Sequence, residues 1–166
     1  MRILVNFLLS FFRTIYLFEG KKNKKKKFFQ DLKIINHEST KNIKSLEILR
    51  YLKTNNKLKR FKKKQILLVL LYKKKPISYG WMYEGNTWNI DEIDQILSIK
   101  NNILLFDFET IDTFRNKGYY AKFLVLIKNI KKNKTFYIYS LSSNKHSKKG
   151  ILNAGFNLKH KLKRFL

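Results

Sequence analysis

The stretch from Ile103 to Leu126, ILLFDFETIDTFRNKGYYAKFLVL, constrains this chain more than any other. Its first part, Ile103–Thr110, alternates large apolar residues with Asp107 and Glu109, the period-two signature of a strand. From Tyr119 to Ile130, apolar residues fall at Ala121, Phe123, Leu124, Leu126 and Ile127, the spacing of one helix face. Between the two sits Arg115-Asn116-Lys117-Gly118. A strand therefore feeds a tight turn with one glycine, and the turn opens a helix. Backbone N–H groups at a helix N-terminus are unpaired, carry partial positive charge and bind phosphate. Gly118 lets the backbone approach an anion with no Cβ in the way. Arg115 and Lys117 add formal charge. The pattern reads as a pyrophosphate cradle.

These residues resemble motif A of the GNAT N-acetyltransferase superfamily. In that motif a strand leads through Arg/Gln-x-x-Gly-x-Gly/Ala into a helix. Here it stands as Arg115-Asn116-Lys117-Gly118-Tyr119-Tyr120, with Tyr120 in place of the second small residue. The variant is similar to a bacterial subgroup often linked to surface-polysaccharide genes. The run Asn144-Lys145-His146-Ser147 through Gly150-Ile151-Leu152-Asn153-Ala154-Gly155-Phe156 resembles the family's motif B, in which an Asn and a small residue open a helix that ends in Gly-Phe. A strand-like Thr135–Leu141 lies between the motifs, and the resemblance covers residues 60–166 while matching the first third poorly.

The resemblance implies a GNAT-like α/β fold: a mixed, mostly antiparallel sheet of six or seven strands with helices on both faces. It implies acetyl-coenzyme A as acetyl donor. Phe108 and Thr110 would flank the acyl end, and Arg115, Asn116, Lys117, Gly118, Tyr119 and Tyr120 would hold the pyrophosphate. Asn144 would bond the pantetheine arm, and Ser147 would cap the next helix. The family commonly places a Tyr seven residues past this Asn, where it protonates the departing thiolate; here that position is Ile151. Tyr139, Tyr120, Ser142, His146 or water are the substitutes the sequence offers. Transfer would be direct to an amine, with no covalent enzyme intermediate and no metal.

Composition sets the outer bounds. A chain of 166 residues fits one domain with a real core. It has no cysteine, hence no disulfide frame, and its histidines, His37, His146 and His160, are too scattered for a metal cluster. The cytosol is the expected compartment. The charge is extreme, 37 Lys plus Arg against 11 Asp plus Glu, net +26. Such a field attracts polyanions and anionic membranes. The chain is also rich in Lys, Asn and Ile, as AT-rich coding gives, so two readings of the lysines stand: solvated surface or functional basic face.

Residues 1–19 read as a separate N-terminal apolar segment, with residues 20–166 forming a single acetyltransferase-like domain. Arg2, Asn6, Ser10 and Arg13 form one polar stripe on a helix that is otherwise apolar. The apolar reach is too short for a membrane span, and no small-residue cleavage site follows it. It is a helix packed on the core, or gives way to a first strand around Thr14–Phe18, or lies in the membrane interface. The run Lys21–Lys27 favours the last with about 1 kcal/mol per Lys near an anionic surface. Further on, Phe28–Ile35 reads as a strand, and Ser39–Thr40 as the N-cap of a helix carrying Ile43, Leu46, Leu49 and Leu52. Asn55–Lys64 is a basic second helix. Gln65–Tyr72 and Ile77–Tyr83 form a central hairpin around a turn at Lys73–Pro76, with Glu84-Gly85-Asn86 as the next turn. Phe156–Leu166, with alternating lysines, suits an edge strand.

Acidic residues are scarce, so their placement carries information. Asp107 and Glu109 differ by two and project from the same face of their strand. A protonated amine must lose a proton before it attacks a thioester, and a carboxylate at the end of this strand can take it. Glu109 is the first choice for this base and Asp107 the second; flanking Phe106 and Phe108 should keep the strand partly dry. The alternative for these carboxylates is simple balance of neighbouring lysines. For the acceptor, the polysaccharide-linked resemblance suggests an amino sugar or sugar nucleotide, and a polycationic amine fits a +26 protein poorly. Two other classes remain: a nucleic-acid-binding module, since lysines and aromatics interleave throughout, and an inactive scaffold of the same fold, given Ile151 and Tyr120.

Overall fold

The computed structural model describes residues 13–21, 31–131 and 133–164. Seven strands form one open sheet: β1 (Thr14–Gly20), β2 (Asp31–Ile35), β3 (Ile66–Tyr72), β4 (Lys75–Ile90), β5 (Gln95–Thr110), β6 (Phe136–Leu141) and β7 (Asn157–Lys163). The α-helices among the described residues are α1 (Leu46–Lys53), α2 (Lys59–Lys62), α3 (Tyr119–Lys128) and α4 (Lys145–Asn153). The sheet order is β2-β3-β4-β5-β6-β1-β7. All neighbours are antiparallel except β5 and β6, which run parallel. This is the mixed, mostly antiparallel sheet that the motifs imply.

The continuous apolar run of β3 shows why helices cover both faces. Leu68 and Leu70 pack with Phe123, Leu124 and Ile127 of α3 and Ile151 of α4. Leu67 and Val69 point the other way, to Ile48, Tyr51 and Leu52 of α1 and Phe61 of α2. Burying such side chains contributes about 1.5–3 kcal/mol each. A strand apolar on both sides is stable only between two layers.

The expected interfacial helix and the basic run that follows it fall largely outside the described residues. Thr14–Gly20 is an interior strand between β6 and β7. A boundary at residue 19 therefore cuts through β1, and residues 14–19 belong to the sheet.

Two local expectations are corrected. Helix α1 starts at Leu46 rather than after Thr40, because the Ser39 hydroxyl is occupied: the Asn36 N–H donates to Ser39 Oγ, and the Ser39 N–H to Asn36 Oδ1, both at 2.9 Å. Ser45 is the cap, accepting from the Ile48 N–H at 3.4 Å. The buried face becomes Ile48, Tyr51 and Leu52, and Leu46 is 65% exposed. Glu84-Gly85-Asn86 does not turn the chain either. It lies inside β4, pairing with β5 continues on both sides of it, and the surplus residues sit on β5, where Lys100 and Asn101 have φ of 47° and 60°. The chain reverses instead after Ile90.

Candidate active site

β5 and β6 are paired only from Ile103 to Leu105 and from Phe136 to Ile138. β5 then continues to Thr110 and β6 to Leu141 without partnering each other. The sheet is thus open between the C-terminal halves of its one parallel pair. The helices that follow these strands, α3 and α4, begin at this opening and lie on one face of the sheet.

The turn into α3 is as the sequence predicts. Gly118 is the N-cap with φ +76°, and a Cβ built there would meet nothing within 4 Å. The conformation disfavours side chains and the space in front of it is open. The N–H groups of Asn116 to Tyr120 have no acceptor among the described residues. The two basic side chains do more than add charge. Arg115 Nε donates to the Thr110 carbonyl at 2.9 Å while its NH2 pairs with Asp112 at 2.8 Å. Lys117 Nζ donates to the Thr113 carbonyl at 2.8 Å. Both brace the loop. Tyr119 turns from the turn to pack on Phe114 and Tyr72.

Tyr120, the residue that departs from the motif, lies between three elements. Its ring packs on Phe108 of β5, with centroids 5.5 Å apart, and against Gly150 of α4, where a Cβ would sit 2.4 Å from its Cδ1. Its hydroxyl is 3.5 Å from Ser147 Oγ. Burial pushes the phenol up to about 12, opposed by the Ser147 hydrogen bond. Gly150 is thus the space that the bulky residue at position 120 requires. Ile151, next to it, is fully buried in the core.

At α4 the expected roles are exchanged. Asn144 is the N-cap, its Oδ1 accepting from the Ser147 N–H at 2.9 Å. Ser147 therefore caps nothing and presents its hydroxyl to Tyr120. Sequence reading passed over Ser140, which is 7% exposed and whose Oγ has no partner among the described residues. It is two residues beyond Ile138 on the same face of β6, just past the last paired residue.

The carboxylates lie on the opposite face, and a bulge puts them there. Trp81 pairs with Phe106 and Tyr79 with Glu109, so Asp107 and Phe108 together oppose Gly80. Asp107 takes φ +49°. A β-bulge of this kind shifts the alternation of every later side chain. Leu105 faces α3 and α4, and simple alternation would send Asp107 and Glu109 after it. The extra residue sends Phe108 there instead and turns both carboxylates toward α1 and α2. Gly80 makes the exchange possible, since a Cβ there would lie 2.2 Å from the Phe108 ring.

On that face Lys57 Nζ stands 3.5 Å from Glu109 Oε2 and 3.9 Å from Asp107 Oδ2. Arg60 NH1 is 2.5 Å from Asp107 Oδ2. Lys57 is 6% exposed and lies over the Tyr51 ring at 3.7 Å. Tyr51 stacks on Tyr79 at 4.0 Å, and its hydroxyl accepts from Trp81 Nε1 at 3.1 Å. Burial raises the Tyr51 phenol, and pushes Tyr79 up to about 12. The expectation of a dry strand fails, since the Asp107 and Glu109 side chains are 40% and 54% exposed. Tyr139 is also on this side, beside Trp88 and Leu97, with its phenol pushed up to about 12 by burial. It is separated by the sheet from Tyr120. Tyr51, Lys57 and Arg60 were not picked out from sequence as site residues. Lys57, Arg60 and Phe61 stand at i, i+3 and i+4, a spacing that marks one inward face in an otherwise basic run.

The residues suit a phosphate-bearing thioester donor. The N–H groups and open space at Gly118 fit a pyrophosphate. The gap past Leu105 and Ile138, with the unpartnered Ser140 hydroxyl beside it, fits a polar, slender arm.

No protein-family model matches the sequence, and no curated protein matches it. Solved structures do. The chain is similar to a functionally unknown conserved protein from Staphylococcus epidermidis, with TM-score 0.61 and 10% identity over 93% of this chain and 62% of that one. It is similar to an acetyltransferase of the GNAT family from Colwellia psychrerythraea, with TM-score 0.55 and 18% identity over 90% of this chain and 53% of that one. A GNAT-family protein from Novosphingobium aromaticivorans gives TM-score 0.55 and 9% identity over 90% of this chain and 61% of that one. The fold is therefore GNAT-like, and the chain spans between half and two thirds of the length of these three structures.

Proposed function

We propose that this chain is an acetyl-coenzyme A-dependent N-acetyltransferase that acts by direct transfer to an amine. The observation that carries the reading is the opening between β5 and β6, with unpartnered N–H groups at the start of α3 on one face of the sheet and paired carboxylates on the other. Acetyl-coenzyme A would supply an activated acyl thioester. The N–H groups of Asn116 to Tyr120 bind its phosphates, and Arg115 and Lys117 hold the turn that presents them. Phe108 and Thr110 line the β5 side of the gap, and Asn144, Ser147 and Ser140 line the β6 side.

Glu109 holds the amine and takes its proton. Asp107 is the weaker choice, because Arg60 and Lys57 both occupy its Oδ2, whereas Glu109 has Lys57 alone at 3.5 Å. Tyr51, Tyr79 and Trp81 form the buried aromatic layer beneath the acceptor's side and hold Lys57 and Arg60 in place. Transfer gains chiefly from positioning two reactants across one gap. A sugar amine fits the exposed carboxylates of this face, and a sugar nucleotide would add phosphates for the surrounding positive charge; the likeness to a polysaccharide-linked subgroup points the same way.

The test is calorimetric titration with acetyl-coenzyme A, then with sugar nucleotides in its presence, followed by thiol release over a panel of amines. Saturable donor binding and acceptor-dependent thiol release are expected. Salt-sensitive RNA binding without donor binding would overturn the reading in favour of a nucleic-acid module, and donor binding without turnover would favour an inactive scaffold.

A further inference from the structure

We propose that Tyr120 is the general acid of this site, donating its phenolic proton to the leaving sulfur, with Ser147 as its relay. The inference rests on the acetyltransfer reading above. Protonation of the sulfur needs a donor on the α3 and α4 side of the opening, close to where β5 and β6 part. Position 151 cannot supply one, being a buried Ile. Tyr139 faces α1 and α2, across the sheet. His146 is exposed in the first turn of α4, and Ser142 sits beyond the end of β6, where its N–H is bonded to the Thr14 carbonyl at 2.8 Å. Of these residues, Tyr120 links the β5 side of the gap to α4. Its ring is fixed between Phe108, three residues past the last paired residue of β5, and Gly150 of α4. Its hydroxyl reaches Ser147 in the first turn of α4.

As the amine nitrogen bonds to the acyl carbon, the carbon–sulfur bond breaks and its electron pair stays on sulfur. Tyr120 Oη gives its proton to that sulfur. The phenolate is reprotonated from solvent through Ser147 Oγ, and the surplus proton of the amine leaves by Glu109. The phenol is fully protonated at neutral pH and gains a charge-assisted bond as the sulfur becomes anionic, although burial, by raising it, makes the proton harder to give up. The bulky residue in the turn is then a relocated acid, and Gly150 is the accommodation that admits it.

Tyr120→Phe keeps the ring between Phe108 and Gly150 and removes only the hydroxyl. Two measurements are made on it and on the wild type: thiol release from acetyl-coenzyme A with the best amine found, and affinity for coenzyme A against desulfo-coenzyme A at pH 10, where an alkyl thiol is largely ionised. The wild type is expected to prefer the sulfur-bearing form roughly ten- to hundredfold, the worth of one hydrogen bond to an anion. Tyr120→Phe should lose that preference, bind desulfo-coenzyme A as wild type does, and turn over roughly 10²-fold more slowly. Ser147→Ala should keep the preference and slow turnover less. Wild-type turnover in Tyr120→Phe with the sulfur preference intact overturns the assignment alone. Failure of the wild type to bind either form of the coenzyme overturns the assignment together with the acetyltransfer reading.

Discussion

Gly150→Ala is a perturbation whose sign can be worked out in advance. Position 150 lies inside α4, where replacing Gly by Ala ordinarily stabilises a helix by about 0.8–1 kcal/mol. Here the new Cβ would sit 2.4 Å from Tyr120 Cδ1 and 2.9 Å from its Cε1. The ring cannot slide away freely, because Phe108 stands on it at 5.5 Å and its hydroxyl meets Ser147 at 3.5 Å. Overpacking of this kind costs about 1–3 kcal/mol. The net effect in the wild-type background is therefore a loss of about 0–2 kcal/mol. In a Tyr120→Ala background the clash is gone, and the same Gly150→Ala change should stabilise by about 0.5–1 kcal/mol. Urea unfolding of the four proteins gives the coupling directly, expected at about 1–3 kcal/mol. If Gly150→Ala stabilises the protein equally in both backgrounds, Tyr120 and Gly150 are not a compensated pair.

Gly118→Asp puts a carboxylate where the turn is open and should weaken acetyl-coenzyme A at least tenfold, about 1.4 kcal/mol, by calorimetry; unchanged affinity would remove the cradle from the reading. Glu109→Gln should lower turnover roughly 10²–10⁴-fold near neutral pH, with the deficit shrinking at high pH where the amine deprotonates unaided; full activity in both this variant and Asp107→Asn would mean that protons leave through solvent. Buried Lys128 bonds the Ala154 and Gly155 carbonyls at 2.7 and 3.2 Å, and burial lowers it to about 8 against an ordinary 10.5, so its charge is penalised in the fold at low pH and stability should rise as pH climbs above 8. Lys128→Met should flatten that rise in unfolding measurements taken from pH 7 to 9.5, below the range where the buried tyrosines begin to oppose it. If residues 1–13 form an interfacial helix, the chain should co-sediment with anionic vesicles, and deleting residues 1–13, which spares β1, should abolish this while donor binding persists.

The strand, turn and helix at Ile103–Ile130 were legible because local chemistry fixes them: period two, one glycine, then period 3.6. The edge position of β7 was legible from its lysines. The misreadings share a cause. Ser39 and Glu84-Gly85-Asn86 carry the right side chains for a cap and a turn, but a neighbouring Asn36 takes the first, and sheet pairing runs through the second. A competing local hydrogen bond overrides the expected cap in the first, and tertiary sheet pairing overrides turn propensity in the second. The aromatic and basic face of the site was hidden for a different reason. Tyr51 and Lys57 precede β3, and only the packing of α1 and α2 on the sheet brings them to Glu109, 52 residues away from Lys57 in the chain.

The bulge at Asp107 is where the sequence pattern and the chemistry part company. Both carboxylates do share a face, as their spacing says, yet without the surplus residue that face would be the one that α3 and α4 bury. Two carboxylates there would lie under the apolar packing of Phe123 and Ile127, where an unpaired charge is costly. The bulge instead delivers them to Lys57 and Arg60, two positive against two negative groups, in a chain of net charge +26. A locally neutral patch inside a strongly positive field suits the two reactants that the reading requires. In that reading the field would gather a phosphate-rich donor at the cradle, while Glu109, with one partner at 3.5 Å and much of its surface free, would keep acceptor capacity for a cationic amine. An uncompensated basic surface would repel that amine, so in this reading the pairing of Lys57 and Arg60 with Asp107 would be as much a condition for binding it as Glu109 would be for taking its proton.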